Sequence, residues 1–158
     1  AIHECNAHRI GHGTRLRENG DLLNYINDHR IPLEVCLKSN VQTGAVDAIE
    51  NHPLKFYMDF GLRCTLNTDN RLVTDTTLTQ EYKLACQVFG LTYDEVRRLV
   101  VDGFKSAFMP FRKKREVMRI VLDEFDAVSR KHGLRSEIES TGVSRYAIDR
   151  IGEDPMPD

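Results

Sequence analysis

The chain has 158 residues, 41% of them hydrophobic, which suits one domain with a core and is too short for two. Its 22 basic and 24 acidic residues give a formal net charge of −2, which argues against a nucleic-acid or anionic-membrane partner and favours a small molecule. No apolar run approaches the ~20 residues of a membrane span, no leader opens the chain, and the four cysteines include no C-x-x-C pair. We therefore expect a cytoplasmic protein in a reducing compartment, with no membrane partner.

The first half of the sequence predicts strands that alternate with helices. Buried strands are predicted at 8–13, 31–37 and 63–69, because each run suits a pleated surface and leads into Gly, Ser, Asn or Asp. Between them lie two predicted helices, one following Asp21 as a plausible N-cap and one spanning 52–61, with Gly61 as its C-terminal stop. This alternation predicts parallel pairing of the strands.

The second half predicts three further helices. Beyond Thr79, apolar residues recur at helical spacing in three stripes, ended by Gly90, before Pro110 and by Gly133. Residues 134–158 are less apolar and contain two prolines near the end, so we expect a flexible tail. Three parallel strands would leave both sheet edges unpaired, which indicates that the chain is part of a larger sheet.

Polar residues follow each of the three predicted strands. The segment "RIGHG" places His12 between two glycines, "CLKSN" places Ser39 and Asn40 after the second strand, and "NTDN" places Asp69 and Asn70 after the third. In barrels of alternating β and α units, catalytic groups come from the carboxyl ends of several strands. The three strand ends therefore predict one shared site.

The segments "HRIGHGTRL", "PLEVCLKSN" and "LNTDNRLVTDTTLTQEY", in this order and at these separations, closely resemble the last three strand ends of the adenosine deaminase family of zinc-dependent amidohydrolases. The resemblance covers about residues 1–132. It implies an α/β fold, with residues 1–133 forming the C-terminal half of a TIM-type (β/α)8 barrel, equivalent to strands 6–8 with their helices, followed by C-terminal helices. The family's other zinc ligands and its catalytic glutamate have no counterpart here, so the resemblance implies an inactive isolated chain whose partner is the N-terminal half of the barrel.

The resemblance also implies roles for individual residues. Asp69 falls on a zinc ligand that orients the metal's water, and His12 falls on the histidine that stabilises the attacking oxygen at C6 of a purine nucleoside. Such a Zn²⁺ lowers the pKa of its water toward ~7, and ammonia then leaves to give inosine, with 2′-deoxyadenosine left open as a further substrate. Asn70 stands where many members have an aspartate that holds N7 of the purine, and its amide is a permanent donor. Gly11 resembles the adenosine-specific branch, because adenine deaminases tend to carry Asp there.

Two alternative functions stay open on the sequence. One is a related deaminase that acts on adenine, and the other is a catalytically silent half-barrel that serves as an interaction or scaffold module. Taken singly, His12 is more often structural than catalytic, and Asp69-Asn70 could be a simple strand-to-loop cap. Glu34 is a charge inside an apolar strand, so we expect a buried ion pair with Arg9 that supports the barrel floor.

Overall fold

The computed structural model describes residues 2–134. Its helices and strands follow one another along the chain as α1 (Ile2–Cys5), β1 (Ile10–Gly11), α2 (Gly20–Asp28), β2 (Leu33–Val35), α3 (Leu37–Gln42), α4 (Leu54–Phe60), β3 (Cys64–Leu66), α5 (Arg71–Thr74), α6 (Leu78–Phe89), α7 (Tyr93–Ser106) and α8 (Phe111–His132), with short 3-10 helices at Leu16–Glu18 and Ile49–Asn51. The predicted tail lies outside the described residues except for Leu134.

The three strands form one parallel sheet in the order β1-β2-β3, which confirms the predicted alternation. Each strand is shorter than its sequence run. β2 ends at Val35 because Leu37 already begins α3, and β3 ends at Leu66, before the polar segment that leads to Asp69. The polar strand ends therefore belong to the loops and short helices at the carboxyl edge of the sheet.

The two faces of the sheet differ in chemistry. The register aligns Ile10, Leu33 and Cys64 in one row, and these side chains join Val35 and Leu66 in the hydrophobic core. Residues alternate between the faces of a strand, so the neighbouring row of Gly11, Glu34 and Thr65 points to the other face. The core therefore lies between the sheet and its helices, and the opposite face is polar.

The helix boundaries agree with the sequence signals, with one correction. The N-cap of α2 is Asn19, whose Oδ1 accepts from Leu22 N at 3.0 Å, and Asp21 lies in the first turn instead. Gly61 ends α4 with φ 98°, as predicted from its lack of a side chain. The three predicted helices of the second half are α6, α7 and α8. Within residues 2–134 no helix has both the length and the apolar character to cross a bilayer.

Arg9 and Glu34 form an ion pair, with 3.1 Å between Arg9 Nε and Glu34 Oε1, and the Arg9 guanidinium lies 3.7 Å from the centre of the Phe108 ring. The side chains of the pair are 29% and 32% exposed. The expectation of a buried pair was therefore wrong in its burial, because Glu34 points away from the hydrophobic core of the sheet. Its role as support for a barrel floor remains a prediction.

Candidate functional site

The backbone turns sharply where His12 and Asp69 follow their strands. His12 has φ 61° and Asp69 has φ 56°, so both occupy the left-handed region. For a non-glycine residue this conformation costs on the order of 1–3 kcal/mol, and the conformation persists only where surrounding contacts stabilise it. At His12 one such contact is the bond from its backbone N–H to Glu34 O at 2.8 Å. Asn6, Arg30 and Asp75 also have positive φ, so this conformation is not confined to the two residues for which catalytic roles are predicted.

Side chains from all three strand ends meet at this edge of the sheet. His12 Nε2 lies 3.9 Å from Asp69 Oδ2, and His12 Nδ1 lies 3.4 Å from Asn40 Oδ1. Ser39 Oγ donates to Asp69 Oδ2 at 2.6 Å. Ser39 and Asn40 are buried, whereas His12 and Asp69 are each more than two-fifths exposed, at 45% and 41%. Two buried polar groups thus hold a histidine and a carboxylate at an open surface.

The hydrogen bonds of Asp69 favour its ionised form. The Ser39 hydroxyl lowers the pKa of the Asp69 carboxyl, and the Asn70 backbone amide and the charge of His12 act in the same direction against a desolvation cost. Nearby, burial and then the charges of Asp69 and Glu81 raise the pKa of the Cys36 thiol to about 12. At neutral pH this edge therefore presents a carboxylate and a protonated thiol.

The chain matches the family model described as "Adenosine deaminase" over residues 1–124. It is also 35% identical over 155 residues to adenosine deaminase 1 of Streptomyces coelicolor, a match that covers 91% of this chain and 39% of that relative. The chain belongs to the adenosine deaminase family. It spans about two-fifths of the length of this relative.

Solved structures of deaminases and amidohydrolases share the fold of this adenosine deaminase family member. Adenine deaminase from Arthrobacter aurescens superposes with a TM-score of 0.75 at 26% identity, over 82% of this chain and 38% of that structure. An amidohydrolase from Burkholderia ambifaria with bound Zn superposes with a TM-score of 0.75 at 19% identity, over 83% of this chain and 37% of that structure. The chain therefore has an α/β fold shared with deaminases and amidohydrolases, and its three parallel strands are consistent with a partial barrel.

Asn70 and Gly11 have different surroundings in this family member. Asn70 is the N-cap of α5, where its Oδ1 accepts from Leu72 N at 3.2 Å and Val73 N at 3.3 Å. The capping role that the sequence left open is thus present, and it leaves the amide NH₂ as the group that can donate to a ligand. At Gly11 no atom lies within 4 Å of where a Cβ would stand. This position therefore borders open space.

Two residues that support the site were not identified from sequence. Tyr57 on α4 is fully buried, and its hydroxyl donates to Gly13 O at 2.8 Å, directly beside His12. Glu81 on α6 is buried and bonds to the first residues of α3. A signal for Glu81 existed, because it lies four residues before Ala85 and therefore on the apolar stripe of the predicted helix.

The fit to a zinc ion is partial. Within residues 2–134 no three His, Cys, Asp or Glu side chains are grouped so that they could hold a metal. Asp69 offers one ionised carboxylate, and His12 lies beside it. Because a catalytic zinc takes about three protein ligands, the described residues fit one ligand of such a site.

Proposed function

We propose that the complete protein hydrolyses adenosine to inosine and ammonia, and that this chain supplies strands 6–8 of its (β/α)8 barrel. The observation that carries the proposal is the contact of Ser39, Asn40, Asp69 and His12 at the carboxyl ends of three parallel strands. In this type of barrel, active sites lie at that end of the sheet. The remaining zinc ligands and the acid that protonates the purine would come from the N-terminal half of the barrel.

Asp69 is suited to a place in the ligand set of Zn²⁺. Its carboxylate is ionised, and it is held in place by hydrogen bonds from the Ser39 hydroxyl, at 2.6 Å, and from the Asn70 backbone amide. One structural neighbour, at 19% identity, carries bound Zn, which is consistent with zinc as the metal of the complete protein. Zinc, when bound, supplies an activated water at neutral pH and electrostatic stabilisation of developing negative charge.

His12 is suited to hold and return a proton on the same side of the site. When Nδ1 carries the proton, it points to Asn40 Oδ1 at 3.4 Å, and Nε2, which faces Asp69, then has a free lone pair. Nε2 can accept a proton from the attacking water and, once protonated, stabilise the negative charge on its oxygen. Asn40 thus selects the tautomer that leaves Nε2 available.

The open space at Gly11 favours a nucleoside over the free base, whereas N7, the atom that Asn70 would contact, is present in both. The Asn70 amide NH₂ can donate to N7 of the purine, while its oxygen accepts hydrogen bonds from backbone N–H groups of α5. Gly11 leaves open space where the adenine branch tends to carry Asp. Adenine remains the second candidate, because an adenine deaminase is among the structural neighbours. We expect a higher kcat/KM for adenosine than for adenine. A Gly11→Asp variant should lower the ratio of the adenosine kcat/KM to the adenine kcat/KM.

The test uses the complete gene product with zinc. Deamination, followed as the loss of adenosine absorbance, should disappear in Asp69→Ala and His12→Ala. The matched control is Asp59→Ala, which removes an exposed carboxylate that pairs with Lys55 on α4 and has no contact with the four site residues, and which should keep wild-type activity. Full activity in Asp69→Ala would refute the proposal. A stable metal-free dimer without activity would favour the scaffold alternative.

A further inference from the structure

Glu81 is a buried carboxylate whose bonds cross from one helix to another. It is 1% exposed and lies on α6, yet its Oε2 accepts from Leu37 N at 2.9 Å and from Lys38 N at 3.4 Å, both in the first turn of α3. Its Oε1 accepts from Thr76 Oγ1 at 3.0 Å. Both carboxylate oxygens are therefore used inside the protein.

These hydrogen bonds make the Glu81 carboxylate the cap of the first turn of α3. The first N–H groups of a helix have no partner within the helix, and the Cys36 side chain makes no capping bond. Glu81 supplies the acceptor from 44 residues away. A buried charge is costly unless it is paired or hydrogen-bonded, and bonds from backbone N–H groups to a carboxylate are among the stronger ones. Glu81 and the start of α3 therefore satisfy each other.

The same turn of α3 carries the two buried polar residues of the site. Ser39 and Asn40 follow Lys38 directly, and they contact Asp69 and His12 respectively. We propose that Glu81 is a positioning residue: by holding the first turn of α3, it fixes the Ser39 hydroxyl on Asp69 and the Asn40 oxygen on His12. This inference rests on the proposed function, and it assigns to Glu81 a role in turnover although it does not touch the substrate.

Two variants of Glu81 and one control separate this role from stability alone. Glu81→Asp keeps the charge and shortens the side chain by one carbon, so that it withdraws from Leu37 N. Glu81→Gln keeps the length and an accepting oxygen, and the Thr76 hydroxyl can rotate to accept from its NH₂. The control Gln80→Ala removes the adjacent bond in which Gln80 accepts from Thr77 N at 2.8 Å, at the same end of α6.

In the complete gene product with zinc, we expect Glu81→Asp to lower kcat by about tenfold to a hundredfold, because small displacements of catalytic groups are costly. KM should stay within about threefold, and Glu81→Gln should restore most of kcat. Gln80→Ala should lower thermal stability and leave kcat unchanged. Equal loss of kcat in Glu81→Asp and Gln80→Ala, or no rescue by Glu81→Gln, would overturn the proposal.

A second measurement does not depend on activity. In Glu81→Asp the Leu37 amide should exchange with solvent faster, and the amide NMR signals of Ser39 and Asn40 should shift, whereas Gln80→Ala should change neither. If the wild-type protein has no deaminase activity, the proposed function fails. The Leu37 exchange rate and the Ser39 and Asn40 signals still test whether Glu81 positions the first turn of α3. Unchanged Leu37 exchange with unchanged Ser39 and Asn40 signals would refute it.

Discussion

Removing the hydroxyl of Tyr57, as in Tyr57→Phe, should loosen the loop that carries His12. The Tyr57 hydroxyl donates to Gly13 O at 2.8 Å and accepts from Arg17 N at 3.1 Å, so it ties α4 to both sides of the turn after β1. Tyr57→Phe keeps the ring, which is fully buried in the core, and deletes these bonds together with a longer one to Thr14 O at 3.3 Å. The variant therefore isolates the hydrogen bonds from the packing.

The expected loss of stability follows from the partners left behind. A typical hydrogen bond contributes about 0.5–1.5 kcal/mol net, and a buried partner left unpaired costs about 1–3 kcal/mol. The Gly13 carbonyl and the Arg17 amide are only partly buried, so water can compensate in part. We expect Tyr57→Phe to lower the free energy of unfolding by about 1–2 kcal/mol.

The matched control is Tyr93→Phe. The Tyr93 hydroxyl donates to Phe125 O at 2.6 Å and joins α7 to α8, far along the chain from the site. In urea denaturation both variants should lose stability, but only Tyr57→Phe should speed exchange of the Arg17 amide and lower deamination in the complete protein. Unchanged Arg17 exchange in Tyr57→Phe, or equal loss of activity in both variants, would refute the reasoning.

Three further measurements test the fold. In urea denaturation, Gly13→Ala should lower the free energy of unfolding more than Gly44→Ala does, and equal losses would contradict this. Both glycines have positive φ, but of the two only Gly13 has a neighbour that a Cβ would contact, the Leu33 side chain at 3.2 Å. Burial lowers the pKa of His52 to about 4, below its unfolded value of about 6.5, so its contribution to stability is present above pH 6.5 and is lost as the pH falls toward 4. Between pH 6.5 and 5, wild type should lose about 2 kcal/mol more than His52→Gln in urea denaturation, and equal losses would contradict this. Burial raises the pKa of Cys64 to about 12, so mass spectrometry after iodoacetamide at pH 8 should find exposed Cys5 alkylated well before Cys64.

The parts of the fold that local patterns determine could be predicted from sequence. Strand and helix alternation, the Gly61 stop and the meeting of polar strand ends follow from side-chain periodicity and from the geometry of parallel strands. The Arg9–Glu34 pair was predicted because opposite charges occur on neighbouring strands. Its burial was mispredicted, because burial depends on what covers the polar face.

The parts that depend on contacts distant in sequence could not be predicted. The contact of Glu81 with Leu37 joins residues 44 positions apart, and no local pattern selects that partner. The N-cap of α2 fell on Asn19 because its side chain reached Leu22 N, although Asp21 is an equally good cap by residue type. Tertiary geometry decides between such candidates.

The most direct measurement compares zinc-dependent deamination of adenosine by the isolated 158-residue chain and by the complete gene product. We expect no turnover by the isolated chain at any zinc concentration, because its described residues offer one ligand of the zinc site. We expect rapid turnover by the complete protein, and this turnover should be lost when zinc is removed. Turnover by the isolated chain with zinc, or none by the zinc-loaded complete protein, would contradict it.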